Sequence, residues 1–367
     1  MSTDRMVSCK FYTFPLPGGA VDARWFSGGR AIGQHGGMDL HRTVGLEPPT
    51  LRRADIEATT GIDRDRTIRW WRAMGFPEVA DETVAFNELD VDLVVRLGEL
   101  EAAGLIDDVD VMRLARLLGA SFQRIAEAQL ALVDDILVRV ADADPELLHR
   151  ERLRQLLDQD DPALMKLMER SVIYVWRRHM LAALGRRLDP RLDPSVGPDH
   201  ETDVLAVGFA DLSGFTKFSK GLTPAQLTEV IDAFEAAAFE VVAPTDGRVV
   251  KLIGDEVMFV APTLADAVTI GLDLRDRLAT VPGIPTIHCG IALGPTVAVG
   301  GDVFGTTVNL ASRLTSIARK GTVVIPREST HELDGRDDLV VKPSRRNYTL
   351  KGIGDTRISV VHRAPAP

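Results

Sequence analysis

Arg248-Val-Val-Lys-Leu-Ile253 and Glu256-Val-Met-Phe-Val-Ala261 are two β-rich runs joined by Gly254-Asp255. Two such runs around a two-residue Gly-Asp loop predict a β-hairpin. Working outward, Val204 to Ala210 is an apolar strand. Thr223-Pro224 supplies an N-cap and a first-turn proline for a helix reaching about Val242. Beyond the hairpin, Thr263 caps a helix to about Ala279. Thr286 to Leu293 and Val297 to Gly301 read as a second strand pair, Gly305 to Arg319 as a helix, and Thr322 to Ile325 as a strand. Further strands are expected between Asp338 and Val361. The order βαββαβ predicts an α+β, ferredoxin-like sandwich, one sheet with helices on one face.

The preceding half has a different character. Residues 1–49 are rich in Gly and Pro and lack periodicity, as a mobile tail would be, and Met38 offers an alternative start. Arg53 to Gly61 predicts a short helix ended by glycine, and Ile62 to Met74 a second one, the outline of a helix-turn-helix. From Asn87 to about Arg187 the chain reads as one long helical region. Leu93, Leu97, Leu100, Leu105, Val111, Leu114, Leu117, Leu118, Phe122, Ile125, Leu130, Val133 and Leu137 recur at helical spacing. Arg187-Leu-Asp-Pro-Arg-Leu-Asp-Pro-Ser-Val-Gly-Pro198 repeats itself and carries three prolines, so residues 188–202 read as a semi-rigid linker. The domain expectation is therefore a tail (1–49), an all-α domain (50–187), a linker (188–202) and an α+β domain (203–367).

A chain of 367 residues is long enough for two such domains. Its net charge of -10 is spread over both halves, which argues against bulk affinity for nucleic acid. Two cysteines, Cys9 and Cys289, build no disulfide framework and suit a reducing compartment. The longest stretch free of Asp, Glu, Lys and Arg, Leu278 to Gly301, holds three prolines and five glycines, so it reads as strands and turns rather than a membrane span. No basic-then-apolar leader precedes it, and a cytoplasmic protein is expected.

Three clusters carry chemistry. Phe209-Ala-Asp211-Leu-Ser-Gly214-Phe215-Thr216 ends a strand in a glycine turn, where an Asp can hold Mg²⁺ and amides can meet phosphate. Alone, this is an ordinary turn. Lys251-Leu-Ile-Gly254-Asp255-Glu256 puts a carboxylate at a hairpin tip. If that hairpin lies beside the first strand, Asp211 and Asp255 converge, and two such carboxylates repel unless a cation neutralises them. In the third cluster, Asp302 to Arg313, Asn309 and Arg313 share one helix face at i and i+4. By itself that is a solvated face.

Taken together, Phe-x-Asp211-x-x-Gly-Phe-Thr, Lys251-x-x-Gly-Asp255-Glu and Asp302 with Asn309-x-x-x-Arg313 resemble a class III nucleotidyl cyclase catalytic domain, over about residues 203–362. Tyr348-Thr-Leu-Lys351-Gly-Ile353 is similar to the family's late Leu-Lys-Gly segment. The resemblance implies an adenylyl cyclase, a lyase forming 3′,5′-cyclic AMP and pyrophosphate from ATP. It implies two Mg²⁺ or Mn²⁺ ions on Asp211 and Asp255, and purine reading by Lys251 and Asp302. It also implies ribose orientation by Asn309, transition-state charge stabilisation by Arg313, and phosphate contacts from Gly214, Phe215, Thr216 and Lys351. An Asp at 302 can accept from the adenine N6 amine and would repel the guanine carbonyl, so ATP is expected over GTP. In this family the metal-binding acids and the Asn–Arg pair of one site come from different subunits, which implies a head-to-tail homodimer.

The helical half resembles the regulatory domain ahead of some mycobacterial-type soluble cyclases, which implies control of activity. Rival expectations are DNA binding through Arg64, Arg66, Arg69 and Arg72, and pH control through His179 or His200. From another class, the rival for the whole chain is a catalytically weak cyclase-like nucleotide sensor or signalling scaffold.

Overall fold

The computed structural model describes residues 34–35, 38–141, 153, 163–188 and 203–365. The chain divides into two compact units, Met1–Asp189 and Pro190–Pro367. Of the stretch 1–49, a two-residue strand pair (Gln34–His35 with Met38–Asp39) and a one-turn helix, Leu40–Thr43, are described. The expected linker lies outside the described residues apart from Leu188.

Local capping sets the helices of the first unit. Helix α1 (Arg53–Thr60) stops at Gly61, whose φ of 69° is left-handed and suits glycine. Helix α2 (Arg64–Ala73) starts later than the periodicity suggests, because the Asp63 side chain accepts from the Arg66 amide and so fixes the N-cap. Asn87 caps α3 (Glu88–Ala102) in the same way. The long helical region is interrupted at Gly104, after which α4 runs Asp108–Ala141; α5 is Ala163–Arg187.

Ile56, Phe86 and Val91 form one small core, and Val133, Leu137 and Met168 another. The leucine periodicity overstates this core. Among its members Val111, Val133 and Leu137 are buried, whereas Leu93, Leu100, Leu105, Leu114, Leu117, Leu118, Phe122, Ile125 and Leu130 are exposed. Helical spacing makes a stripe; only a packing partner buries it.

In the second unit, β1 (Asp203–Leu212), α6 (Pro224–Val242), β2 (Arg248–Ile253), β3 (Glu256–Ala261), α7 (Leu264–Ala279) and β4 (Ile287–Val299) follow the expected βαββαβ order. Then come β5 (Asp302–Phe304), α8 (Thr306–Ile317), β6 (Val323–Pro326), β7 (Leu339–Leu350) and β8 (Gly354–Arg363). The sheet is eight-stranded, in the order β2-β3-β1-β4-β6-β8-β7, with β5 paired to β4. Its first four strands have the ferredoxin-like arrangement. The segment 297–301 is no separate strand: β4 runs on through Val299 and turns at Gly300-Gly301 to pair with β5.

Helices cover both faces rather than one. Ala206, Ala210 and Leu212 of β1 pack with Phe234 of α6 and Ile270 of α7. Val207 and Phe209 alternate to the other face, where Ala311 and Leu314 of α8 cover them. Gly290 permits that second layer. A Cβ there would lie 2.2 Å from the Thr315 nitrogen and 2.6 Å from the Leu314 carbonyl carbon. Its amide instead donates to Thr315 Oγ1 at 3.1 Å.

Candidate active site

Asp211 ends the face of β1 that α8 covers, and register brings its neighbours to it. It stands opposite Glu256 on β3 and opposite His288 on β4. Directly opposed residues in antiparallel strands project to the same side. The hairpin tip is tied in as well. Gly254 takes φ 65°, and the Leu212 amide donates to the Asp255 carbonyl at 3.0 Å. The Asp211 and Asp255 carboxyls thus come within hydrogen-bonding reach of each other.

This crowding shows in the acid strengths. Burial first, then the Asp211 charge, pushes Asp255 up to about 6. Burial, reinforced by Asp211 and Asp255, pushes Glu256 up to about 7, against the opposing pull of His288 and Lys251. His288 Nε2 lies 3.2 Å from Asp211 Oδ2, and its Nδ1 lies 2.9 Å from Ser213 Oγ.

Such a cluster of hard oxygen donors with excess negative charge fits Mg²⁺ or Mn²⁺. Among the described residues no group of three His, Cys, Asp or Glu donors forms a complete cage.

Lys251 and Asp302 meet directly. Lys251 Nζ donates to Asp302 Oδ2 at 2.5 Å, while Asp302 Oδ1 accepts from the Val303 amide at 2.8 Å. A bulge brings this about. Val249 pairs with Phe259, but Lys251, not Val250, pairs with Met258. The extra residue turns Lys251 onto the face that carries Met258 and Asp211.

The remaining expected residues stand apart from the acids. Asn309 and Arg313 lie on the exposed side of α8, opposite Thr307, Ala311 and Leu314. Among the described residues neither side chain has a hydrogen-bond or ion-pair partner. Lys351 is exposed at the β7–β8 turn, next to buried Leu350. Gly214 has φ 75° and starts a one-turn helix that buries Phe215 and leaves Thr216 exposed.

Three members of the cluster carry no role that the sequence alone shows: Ser213, Glu256 and His288. Ser213 and Glu256 sit inside the quoted motifs, so adjacency was their signal. His288 shows only as an imidazole in a strand, and nothing local marks its partner 77 residues earlier. In the first unit, the four arginines of α2 are committed to acids. Arg64 pairs with Asp81, Arg66 with Glu101 and Asp108, Arg69 with Asp108, and Arg72 with Glu78. They brace the helices instead of forming a bare basic face. His179 is exposed on α5, and His200 lies outside the described residues.

No helix is long and apolar enough to cross a membrane among the described residues. Residues 198–362 match the adenylate and guanylate cyclase catalytic domain. Over 278 residues the chain is 36% identical to an adenylate cyclase of Streptomyces coelicolor, covering 75% of this chain and 69% of that one. Over 317 residues it is 31% identical to an adenylate cyclase of Glutamicibacter nicotianae, covering 83% and 77% of the two chains. A solved structure, the adenylyl cyclase CyaB from P. aeruginosa, is 24% identical over 45% of this chain and 97% of its own, with a TM-score of 0.39. With two adenylate cyclases matched above 30% identity across most of their own length, the chain belongs to the class III adenylyl cyclase family.

Proposed function

We propose that the chain converts ATP to 3′,5′-cyclic AMP and pyrophosphate, at two equivalent sites shared between the subunits of a head-to-tail homodimer in the cytoplasm. One observation carries this reading: Asp211 and Asp255 converge into one acidic cluster, while Asn309 and Arg313 of the same chain are exposed on α8 and their side chains have no partner among the described residues. Each half then supplies what the other lacks.

In the reaction the ribose 3′ oxygen bonds to the α-phosphorus, the bond from that phosphorus to the bridging oxygen breaks, and pyrophosphate leaves with the electron pair. The 3′ hydroxyl proton passes to solvent or to the departing phosphate. Asp211 and Asp255 would hold two Mg²⁺ or Mn²⁺ ions, which when bound lower the 3′ hydroxyl pKa and offset charge on the phosphate oxygens. Arg313 of one subunit stabilises the charge that grows on the α-phosphoryl oxygens, and Asn309 orients the ribose. Gly214, Phe215, Thr216 and Lys351 hold the polyphosphate. Lys251 fixes Asp302, whose carboxylate accepts from the adenine N6 amine and disfavours the guanine carbonyl.

The match to the Streptomyces enzyme spans 278 residues, more than the segment 198–362 contains, so it extends into the helical unit. That shared extent supports a regulatory role for residues 50–187, biasing how the two catalytic domains meet.

Complementation tests the shared site. An Asp211→Asn chain and an Arg313→Ala chain, each inactive alone, are mixed and allowed to exchange subunits. Random pairing makes half the dimers mixed, each with one intact site of two, so about a quarter of the parent activity returns. No recovery, with exchange verified by mass, would overturn the shared-site reading.

A further inference from the structure

We propose that Ser213 and His288 form a positioning relay that fixes the Asp211 carboxylate for cation binding; the proposal rests on Asp211 being a metal ligand. The geometry is complete on the protein side. Asp211 Oδ2 accepts from His288 Nε2 at 3.2 Å. Nε2 carries its hydrogen in the neutral tautomer this bond selects and in the imidazolium, so the contact survives either protonation state. With Nε2 as donor in the neutral ring, Nδ1 is the acceptor for the Ser213 hydroxyl at 2.9 Å.

The backbone locks both members that support Asp211. The Ser213 amide donates to the Thr286 carbonyl at 2.8 Å, and His288 is registered opposite Asp211. Ser213 is 5% exposed and His288's side chain 16%, whereas Asp211's is 31% exposed. Exposure therefore rises from the anchor to the working end. Ser213 is largely buried and its hydroxyl is bonded to His288 Nδ1, so the Asp–His–Ser chain is read as a positioning device and not as a nucleophilic triad.

The relay answers a specific hazard. Asp211 faces two further acids, Asp255 and Glu256, and it lies within hydrogen-bonding reach of the Asp255 carboxyl. A freely rotating carboxyl could settle into that acid–acid bond. Holding Oδ2 on the imidazole fixes the plane of the group and leaves Oδ1 for a cation. Partners that orient metal ligands in this way typically contribute 10–100-fold in metal affinity.

Mn²⁺ binding to the full-length dimer, read by electron paramagnetic resonance of free Mn²⁺ in the presence of 3′-deoxy-ATP, separates the possibilities. His288→Ala should weaken Mn²⁺ binding about 10–100-fold. His288→Gln, whose amide can donate to Oδ2, should restore most of it, and Ser213→Ala should fall between them. In kinetics the Mn²⁺ concentration for half-maximal rate should rise in parallel, with kcat at saturating Mn²⁺ far less affected. Asp211→Asn serves as the reference. If it abolishes tight Mn²⁺ binding while His288→Ala leaves it at the parent value, the relay is refuted and the metal site stands. Equal losses in His288→Ala and His288→Gln, with both variants folded by circular dichroism, also refute the relay. If Asp211→Asn changes nothing, the metal-site reading itself fails.

Discussion

Glu256→Gln probes the electrostatic cost of the acidic cluster. Glu256 is half-buried opposite Asp211, and burial with the neighbouring acids pushes its carboxyl from 4.5 to about 7. At about 1.4 kcal/mol per tenfold in proton affinity, that rise amounts to about 3 kcal/mol. The sign follows from linkage: the folded carboxyl binds its proton more tightly than the unfolded one. Its stabilising contribution is fully present below pH 4.5 and is lost as pH rises through about 7. Glutamine keeps the shape and has no proton to lose. Scanning calorimetry of the full chain in EDTA at pH 5 and pH 8.5 measures the difference. For a domain of this size about 3 kcal/mol moves Tm by roughly 6–12 °C. The parent should therefore lose that much more than Glu256→Gln between the two pH values, the remaining slope reflecting Asp255. An identical fall in both proteins would refute the assignment of the cost to Glu256.

Gly290→Ala places a methyl 2.2 Å from the Thr315 nitrogen, so α8 must shift. Overpacking of this kind costs about 1–3 kcal/mol, to be read from the urea midpoint. Arg313→Ala should lower kcat on the order of 10²–10³-fold with the fold unchanged, as loss of one transition-state donor does; an unaltered kcat would remove Arg313 from the chemistry. Lys251→Met breaks the bond to Asp302, and the ATP-over-GTP ratio in kcat/KM should fall about tenfold, equivalent to about 1.4 kcal/mol of lost discrimination.

Much of this protein is determined locally. Gly254-Asp255 between two β-rich runs can only be a tight turn, because left-handed φ at 254 suits glycine and the flanking runs have strand chemistry. Thr223-Pro224, Thr263 and Gly61 start or stop helices through bonds to residues three or four positions away. The spacing of Asn309 and Arg313 puts them on one helix face wherever that helix packs. The remaining features depend on pairing between distant segments. Register set Asp211 between Glu256 and His288, and neither sequence neighbourhood encodes that choice. The bulge at Val250 turned Lys251 towards Asp302, although simple alternation from Val249 would have sent it to the opposite face. The side of the sheet that α8 covers was decided by Gly290, where a missing side chain lets two backbones touch. Likewise the apolar stripe of α4 is plain in its periodicity, yet its burial is a property of partners. Short-range hydrogen bonds and dihedral preferences act within a few residues, whereas strand register and layer packing minimise the energy of the whole sheet at once.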